Sequence, residues 1–327
     1  MKNYILASLS GLAFALALGK AVIPILRRLK FGQNILGYVT EHDYKRGTPT
    51  MGGIIFMISS AVAFFCFSGG KRSMAYVCMA IGFSYMLVGG IDDFIKIKLK
   101  RNEGLSPLQK TLFELAISII IAVYAQNKGL TKAYIPFLQM TVDLGKWHFP
   151  ICVFIFLATT NSVNLTDGLD GLAGGVSYVY LIFLAVIIYI QTTKNASLYV
   201  NVREYDNLIS LSSSLIGGIL GFLCYNTYKA TVFMGDTGSL ALGGYIASIS
   251  LLSGNIFFIP IVGIIYVITS ISVILQVAHF KRTGERIFLM SPLHHHFQHK
   301  GYSESKIGFA YKTITFVMGG ISVISCL

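Results

Sequence analysis

Long apolar runs decide what this chain can fold into. About ten of them, near 4–26, 51–68, 74–91, 111–126, 149–166, 172–191, 208–224, 239–253, 256–278 and 307–327, are almost free of charge. A helix needs roughly 20 apolar residues to cross about 30 Å of hydrocarbon. Transmembrane β-strands would instead read as alternating segments of about ten residues. The composition agrees, with 54% hydrophobic and 12% charged residues and a mean hydropathy of +0.68, where soluble domains carry about 25% charged residues. The expectation is an all-α polytopic membrane protein of about ten transmembrane helices, one transmembrane domain over 1–327. Several runs are short for a full crossing, so tilt or merged ends would shift a boundary or two. The first run leads into Arg27-Arg28-Leu29-Lys30 with no small-residue cleavage site, and reads as a retained helix rather than a signal peptide.

Ten crossings place both termini on one side. Five loops, about 27–50, 92–110, 164–171, 225–238 and 279–306, then share the opposite face. They hold twice the Lys and Arg of the other side, so they read as cytoplasmic and the termini as extracytoplasmic. The net charge of +12 calls for anionic partners. Its spread over short loops argues against nucleic acid and for lipid head groups and phosphorylated substrates. The longest loop on the other side, 127–148, has room for a short hairpin. The five cysteines show no metal-ligand spacing and read as small buried hydrophobes.

Only 14 residues are acidic, yet Asp92-Asp93, Asp167, Asp170 and Asp236 all sit where apolar runs meet loops of the one face. A carboxylate at the edge of a hydrocarbon layer is costly unless it meets a cation, a metal or a substrate. Their common level suggests a shared site for a divalent metal and a phosphorylated ligand. Asp92 and Asp93 are about 100° apart on a helix, so one of them faces a given ligand, with Lys96 a turn further on. Asn161, Asn164, Asp167 and Asp170 recur every third residue, a polar stripe able to bind a sugar or base or to hold Mg²⁺ through waters. Asp236 stands in Met234-Gly235-Asp236-Thr237-Gly238-Ser239, a loop and helix start whose amides are suited to phosphate. Gly47-Thr48-Pro49-Thr50-Met51-Gly52-Gly53, after His42 and Lys45-Arg46, suits a diphosphate, or simply starts a helix at a proline. His294-His295-His296 is not a zinc site on this reading. Three consecutive histidines cannot face one metal on a helix, no cysteine is near, and the carboxylates favour a hard ion.

The stretches HDYKRGTPTMGG, GGIDDFIKI, NSVNLTDGLDGLA, VFMGDTGSLALGG and SPLHHHFQ, in this order, resemble the phospho-N-acetylmuramoyl-pentapeptide transferase family. That family lies within the polyprenyl-phosphate N-acetylhexosamine-1-phosphate transferases. The resemblance runs from about residue 30 to the last span. It implies an enzyme of the bacterial plasma membrane with its active site facing the cytoplasm. The implied reaction joins UDP-N-acetylmuramoyl-pentapeptide and undecaprenyl phosphate, with Mg²⁺, to give UMP and lipid I, and a homodimer is the expected assembly. On the same basis Asp236 is the leading Mg²⁺ ligand with Asp93 as a second, and Asp92 orients or deprotonates the lipid phosphate. Lys45, Lys96 and Thr50 meet the diphosphate, and Asn164 and Asp167 lie near the nucleoside and sugar. Gly168, Asp170 and Phe233 hold the uracil, and His294 and His295 meet the phosphate-sugar or the peptide.

Two mechanisms stay open at this level: direct attack by the lipid phosphate, favoured because that nucleophile is already present, and a covalent phospho-sugar on an aspartate. The nearest alternative function is a sister transferase using UDP-N-acetylglucosamine, from which the GTPTMGG and SPLHHHFQ stretches separate this chain. A transporter is the remote alternative. Transporters place polar sites near the midplane, whereas charges inside the spans are few here (Lys20, Glu114 and Lys312).

Overall fold

A computed structural model describes residues 1–29, 47–70, 72–99, 103–194 and 202–327. Lys45, with most of the 27–50 loop, lies outside the described residues. The long helices are α1 (Lys2–Arg28), α2 (Gly53–Phe67), α3 (Ser73–Leu99), α4 (Pro107–Asn127), α5 (His148–Thr166), α6 (Leu172–Lys194), α7 (Val202–Asn226) and α8 (Gly235–Leu252). A short α9 (Ile259–Val262), α10 (Ile264–Thr283), a short α11 (Leu293–His299) and α12 (Glu304–Ile324) follow. The sheet among the described residues is one antiparallel hairpin, β1 (Lys132–Ile135) with β2 (Met140–Asp143), in the loop expected to hold one.

Each of the ten apolar runs is helical, but among the described residues eight helices are long and apolar enough to cross a membrane. The other two differ for stated reasons. α2 has 15 residues, or about 22 Å at 1.5 Å per residue. α8 carries Asp236 and several glycines, and protein surrounds it: every residue from Thr237 to Leu252 is buried. A helix that meets protein on all sides need not be uniformly apolar. The 256–278 run is broken at Gly263, which ends α9 and starts α10. Of the cysteines, Cys78, Cys152 and Cys326 are buried as expected, but Cys66 and Cys224 are exposed, on apolar helices where a thiol facing outward costs little.

Small residues set the packing. In α1, Ala7, Gly11, Ala15, Gly19 and Ile23 recur every fourth residue and are all buried. They meet Gly217, Gly218 and Gly221 of α7 so closely that a Cβ on Gly217 would overlap the Ser8 carbonyl. This is the small-residue packing by which helices associate where no hydrophobic drive separates them from lipid. α8 is gripped similarly. Gly238 lies against Gly53 of α2, Gly243 against Thr160 of α5, and Gly89 of α3 against the backbone of Asp236. A side chain at Gly89 would push the start of α8 away from α3, so the depth of Asp236 is fixed by backbone contact.

Candidate active site

The site begins with three helix ends. α3 runs on past its apolar stretch to present Asp92, Asp93 and Lys96. α4 starts at a capping box: the Ser106 hydroxyl accepts from the Gln109 amide, the Gln109 side chain accepts from the Ser106 amide, and Pro107 opens the helix. That start places Lys110 in the first turn. α8 begins at Gly235, whose φ of +71° suits glycine. A Cβ there would strike Asp93 and Thr50.

Asp93 is enclosed and receives the α8 N-terminus. Its Oδ1 accepts from the Asp236 amide at 3.2 Å, and its Oδ2 from the Thr237 amide at 2.9 Å and hydroxyl at 2.6 Å. The amides that the sequence offered to a phosphate are therefore donated to a carboxylate from α3, a favourable charge for a helix N-terminus. With Asp93 capping α8, Asp236 is left for other partners. Lys96 Nζ and Lys110 Nζ each lie 3.0 Å from its Oδ2. Asn164 Nδ2 donates to its Oδ1 at 2.8 Å and approaches Ser239 Oγ equally closely, while Asn164 Oδ1 accepts from Lys110 at 3.2 Å. Lys96 also reaches Asp92 Oδ2 at 2.5 Å, and Asp92 Oδ1 accepts the Leu105 amide at 2.8 Å. Ligand atoms of Asp92, Asp93 and Asp236 lie within 4.8 Å of one another. Two ammonium groups drawn onto this cluster show how strongly it attracts positive charge.

A second wall stands beside it. Thr50 is buried, and its segment is tied to the α8 approach: the Phe233 amide donates to the Pro49 carbonyl, and the Gly52 amide to the Phe233 carbonyl, both at 2.8 Å. Phe233 is half-buried. Asn161 and Asn164 lie on α5, Asp167 caps its end, and Asp170 falls in the turn beyond. The expected stripe is thus split by the helix terminus. Asp170 Oδ2 accepts the Ala230 amide at 3.0 Å, and the Asp170 amide meets Glu304 Oε2 at 3.2 Å. Gly168 faces α11: a Cβ there would collide with His294 and approach His295 to 3.0 Å. His295 Nδ1 is 2.8 Å from Gln298 Oε1.

His294 is fully enclosed, and neither ring nitrogen has a hydrogen-bond partner among the described residues. Burial, then the neighbouring His295, pushes its pKa well below the usual value, so it is neutral at pH 7. An unfolded histidine takes up a proton near pH 6.5. The stability contributed by neutral His294 is therefore complete above about pH 6.5 and is lost as pH falls toward its folded pKa. Thermal unfolding should shift downward on acidification from pH 7 to 5, and less so in His294→Phe, as followed by a fluorescent thermal-shift series.

Lys110 has no place in the sequence reading, and Glu114 enters it only as a charge within a span. Glu114 is completely buried one turn beyond Lys110. Its Oε2 accepts from Asn161 Nδ2 at 2.5 Å, and its Oε1 has no partner among the described residues. The two faces, Lys110 and Glu114 on α4 and Asn164 and Asn161 on α5, form one ladder leading to Asp236. Glu114→Gln keeps the acceptor for Asn161 and should retain most activity. Glu114→Leu removes one acceptor of the Asn161 amide and leaves it only the Leu157 carbonyl at 2.9 Å; the orphaned N–H costs about 1–3 kcal/mol and should lower both kcat and melting temperature.

An acidic cluster at the start of one helix, met by lysines and an amide from three others, defines a polytopic membrane protein whose three aspartates could hold a metal ion. Comparison with known families is consistent. The model of "Glycosyl transferase family 4" matches residues 73–254, and a phospho-N-acetylmuramoyl-pentapeptide-transferase signature matches residues 45–57. Among curated relatives, the phospho-N-acetylmuramoyl-pentapeptide-transferase of a Thermoanaerobacter species is 42% identical over 97% of this chain and 96% of its own. That of Caldanaerobacter subterraneus is 43% identical over the same shares, and that of Clostridium perfringens 43% over 92% and 90%. The chain belongs to the phospho-N-acetylmuramoyl-pentapeptide-transferase family and is a phosphoglycosyl transferase.

Proposed function

We propose that this enzyme transfers phospho-N-acetylmuramoyl-pentapeptide from its UDP derivative to undecaprenyl phosphate, releasing UMP and forming lipid I. It acts as one transmembrane domain in a bacterial plasma membrane, with the aspartate face toward the cytoplasm. The observation that carries this reading is Asp236, freed from helix capping by Asp93 and clamped by Lys96, Lys110 and Asn164. The signature match at residues 45–57 supports the muramoyl donor over UDP-N-acetylglucosamine.

In the reaction an oxygen of the lipid phosphate bonds to the β-phosphorus of the donor, and the oxygen bridging the two phosphorus atoms leaves with UMP. Negative charge grows on that bridge and on the non-bridging oxygens. Lys96 and Lys110 converge at one point and are placed to meet it. They would exchange part of their contact with Asp236 for contact with phosphate. Asp92, held by the Leu105 amide, would orient the ionised lipid phosphate through the Lys96 ammonium it contacts. That phosphate is already largely ionised at pH 7, given a second pKa of about 6, so positioning matters more than proton removal. Thr50 lies on the diphosphate side, and Asp167, Gly168, Asp170 and Phe233 form the nucleoside side, with His294 and His295 behind Gly168.

The oxygen-only donor set fits Mg²⁺. Asp236 would hold the ion, with Asp92 as the better second carboxylate, because both Asp93 oxygens already serve the start of α8. When bound, the ion would neutralise diphosphate charge. Competition between the two UDP-sugars tests the donor: with both present, the lipid product should carry the muramoyl-pentapeptide and UDP-N-acetylglucosamine should not slow its formation, whereas a preference for UDP-N-acetylglucosamine would move the enzyme to the sister group.

A further inference from the structure

The hairpin between α4 and α5 lies at the opposite end of the bundle from the aspartates, and the reaction does not use it. It lies flat across helix ends. The Tyr134 amide donates to the Gly254 carbonyl at 2.8 Å, the Tyr134 ring stacks on Phe258 at 6.0 Å, and its hydroxyl reaches the Ser325 carbonyl at 3.4 Å. Ala133 and Pro136 are buried beneath it. Beyond that anchor the tip carries apolar side chains outward: Phe137 is 58% exposed and Leu138 66%. Phe137 and Gln139 both adopt left-handed backbone, with φ of 67° and 48°. Non-glycine residues rarely take that conformation, and where they do, function is a common reason.

We infer that this tip is a membrane anchor, seated in the head-group layer of the leaflet opposite the active site. Three observations select lipid as the occupant. The hairpin joins the ends of two membrane helices, α4 and α5, and packs on the ends of α8 and α12, so it lies at the level of the helix ends. Trp147, 64% exposed at the start of α5, continues the apolar surface down to Phe154 at 70% on the helix flank. Aromatic side chains concentrate at that level of a bilayer. Lys146 is exposed at the hairpin base and suits anionic lipid phosphates, while the exposed Lys132 stands opposite Asp143 in the ladder. A surface element of this kind sits about 5–10 Å into the head-group and acyl boundary.

Trp147 is the only tryptophan in the chain, which makes the test direct. Leu138→Trp, made in the Trp147→Phe background, places one fluorophore at the tip. The full-length protein is reconstituted in phosphatidylcholine–phosphatidylglycerol vesicles, with UMP release as the check on folding. Lipids brominated high on the acyl chain should quench the tip emission more than lipids brominated near the methyl end. The emission should also be blue-shifted and protected from aqueous iodide. Quenching by iodide without quenching by bromolipid would place the tip in water and overturn the inference. Protection from both quenchers that disappears on dilution into excess lipid would assign the tip to a second copy of the chain and overturn it equally.

Discussion

Asp236→Asn is expected to lower UMP release by at least about 10²–10³-fold, the scale on which one electrostatic contact to a transferring group is felt, while the purified protein keeps its melting temperature to within a few degrees. The substitution preserves shape and the pairing with Asn164, but removes the charge that holds Lys96 and Lys110 at 3.0 Å. Two ammonium groups would then repel each other across a neutral amide, and the leading metal ligand would be lost. Because Asp93, not Asp236, caps α8, the helix start should survive. That separates the expectation from simple unfolding, and Asp93→Ala is the natural contrast, since it should lower stability as well as rate. Near-normal turnover in Asp236→Asn would remove the residue from the centre of the reaction.

Lys110→Met should be nearly as severe, with a loss of about 10²-fold in kcat. Methionine fills the volume of the lysine stem without its charge. Lys110 touches both Asp236 and Asn164, so its removal leaves Lys96 as the single described cation on the cluster. If Lys110 stabilises charge that develops during transfer, kcat should fall while KM for the UDP-sugar changes little. A rise in KM with unchanged kcat would make it a ground-state binding residue. Lys110→Arg should not restore full rate, because the longer guanidinium offers its donors in a rigid planar fork and cannot occupy the single point between Asp236 and Asn164 that the compact ammonium fills.

The helices were legible because apolar length is a local property. All ten runs became helical, and Gly263 broke the ninth. What the sequence concealed was non-local. That Asp92 and Asp93 point apart was legible from helix geometry, but not where they point: one turns toward Lys96 and the Leu105 amide and the other into the α8 N-terminus, 143 residues away. The helix start at Asp236 looked open to a phosphate, and nothing local showed that a carboxylate from α3 already takes its amides. Lys110 resembled any lysine of a positively charged loop. The signal that could have found it was the Ser106-Pro107 helix start with Gln109, which sets Lys110 and Glu114 on one face at one-turn spacing. Glu114 was seen only as a rare charge within a span, and its partner Asn161 had been assigned to the ligand stripe. The residues expected on the nucleoside side were read from one stretch of chain, whereas the approach of Gly168 to His294 joins segments more than a hundred residues apart.

The most direct measurement is UMP release by the purified, detergent-solubilised protein supplied with undecaprenyl phosphate, UDP-N-acetylmuramoyl-pentapeptide and Mg²⁺, with EDTA and Asp236→Asn as controls. Release that depends on both substrates and is abolished by either control is the expected result. UMP release that persists in EDTA, or in Asp236→Asn, would contradict the assignment of this cluster as the metal-dependent phosphoryl-transfer site.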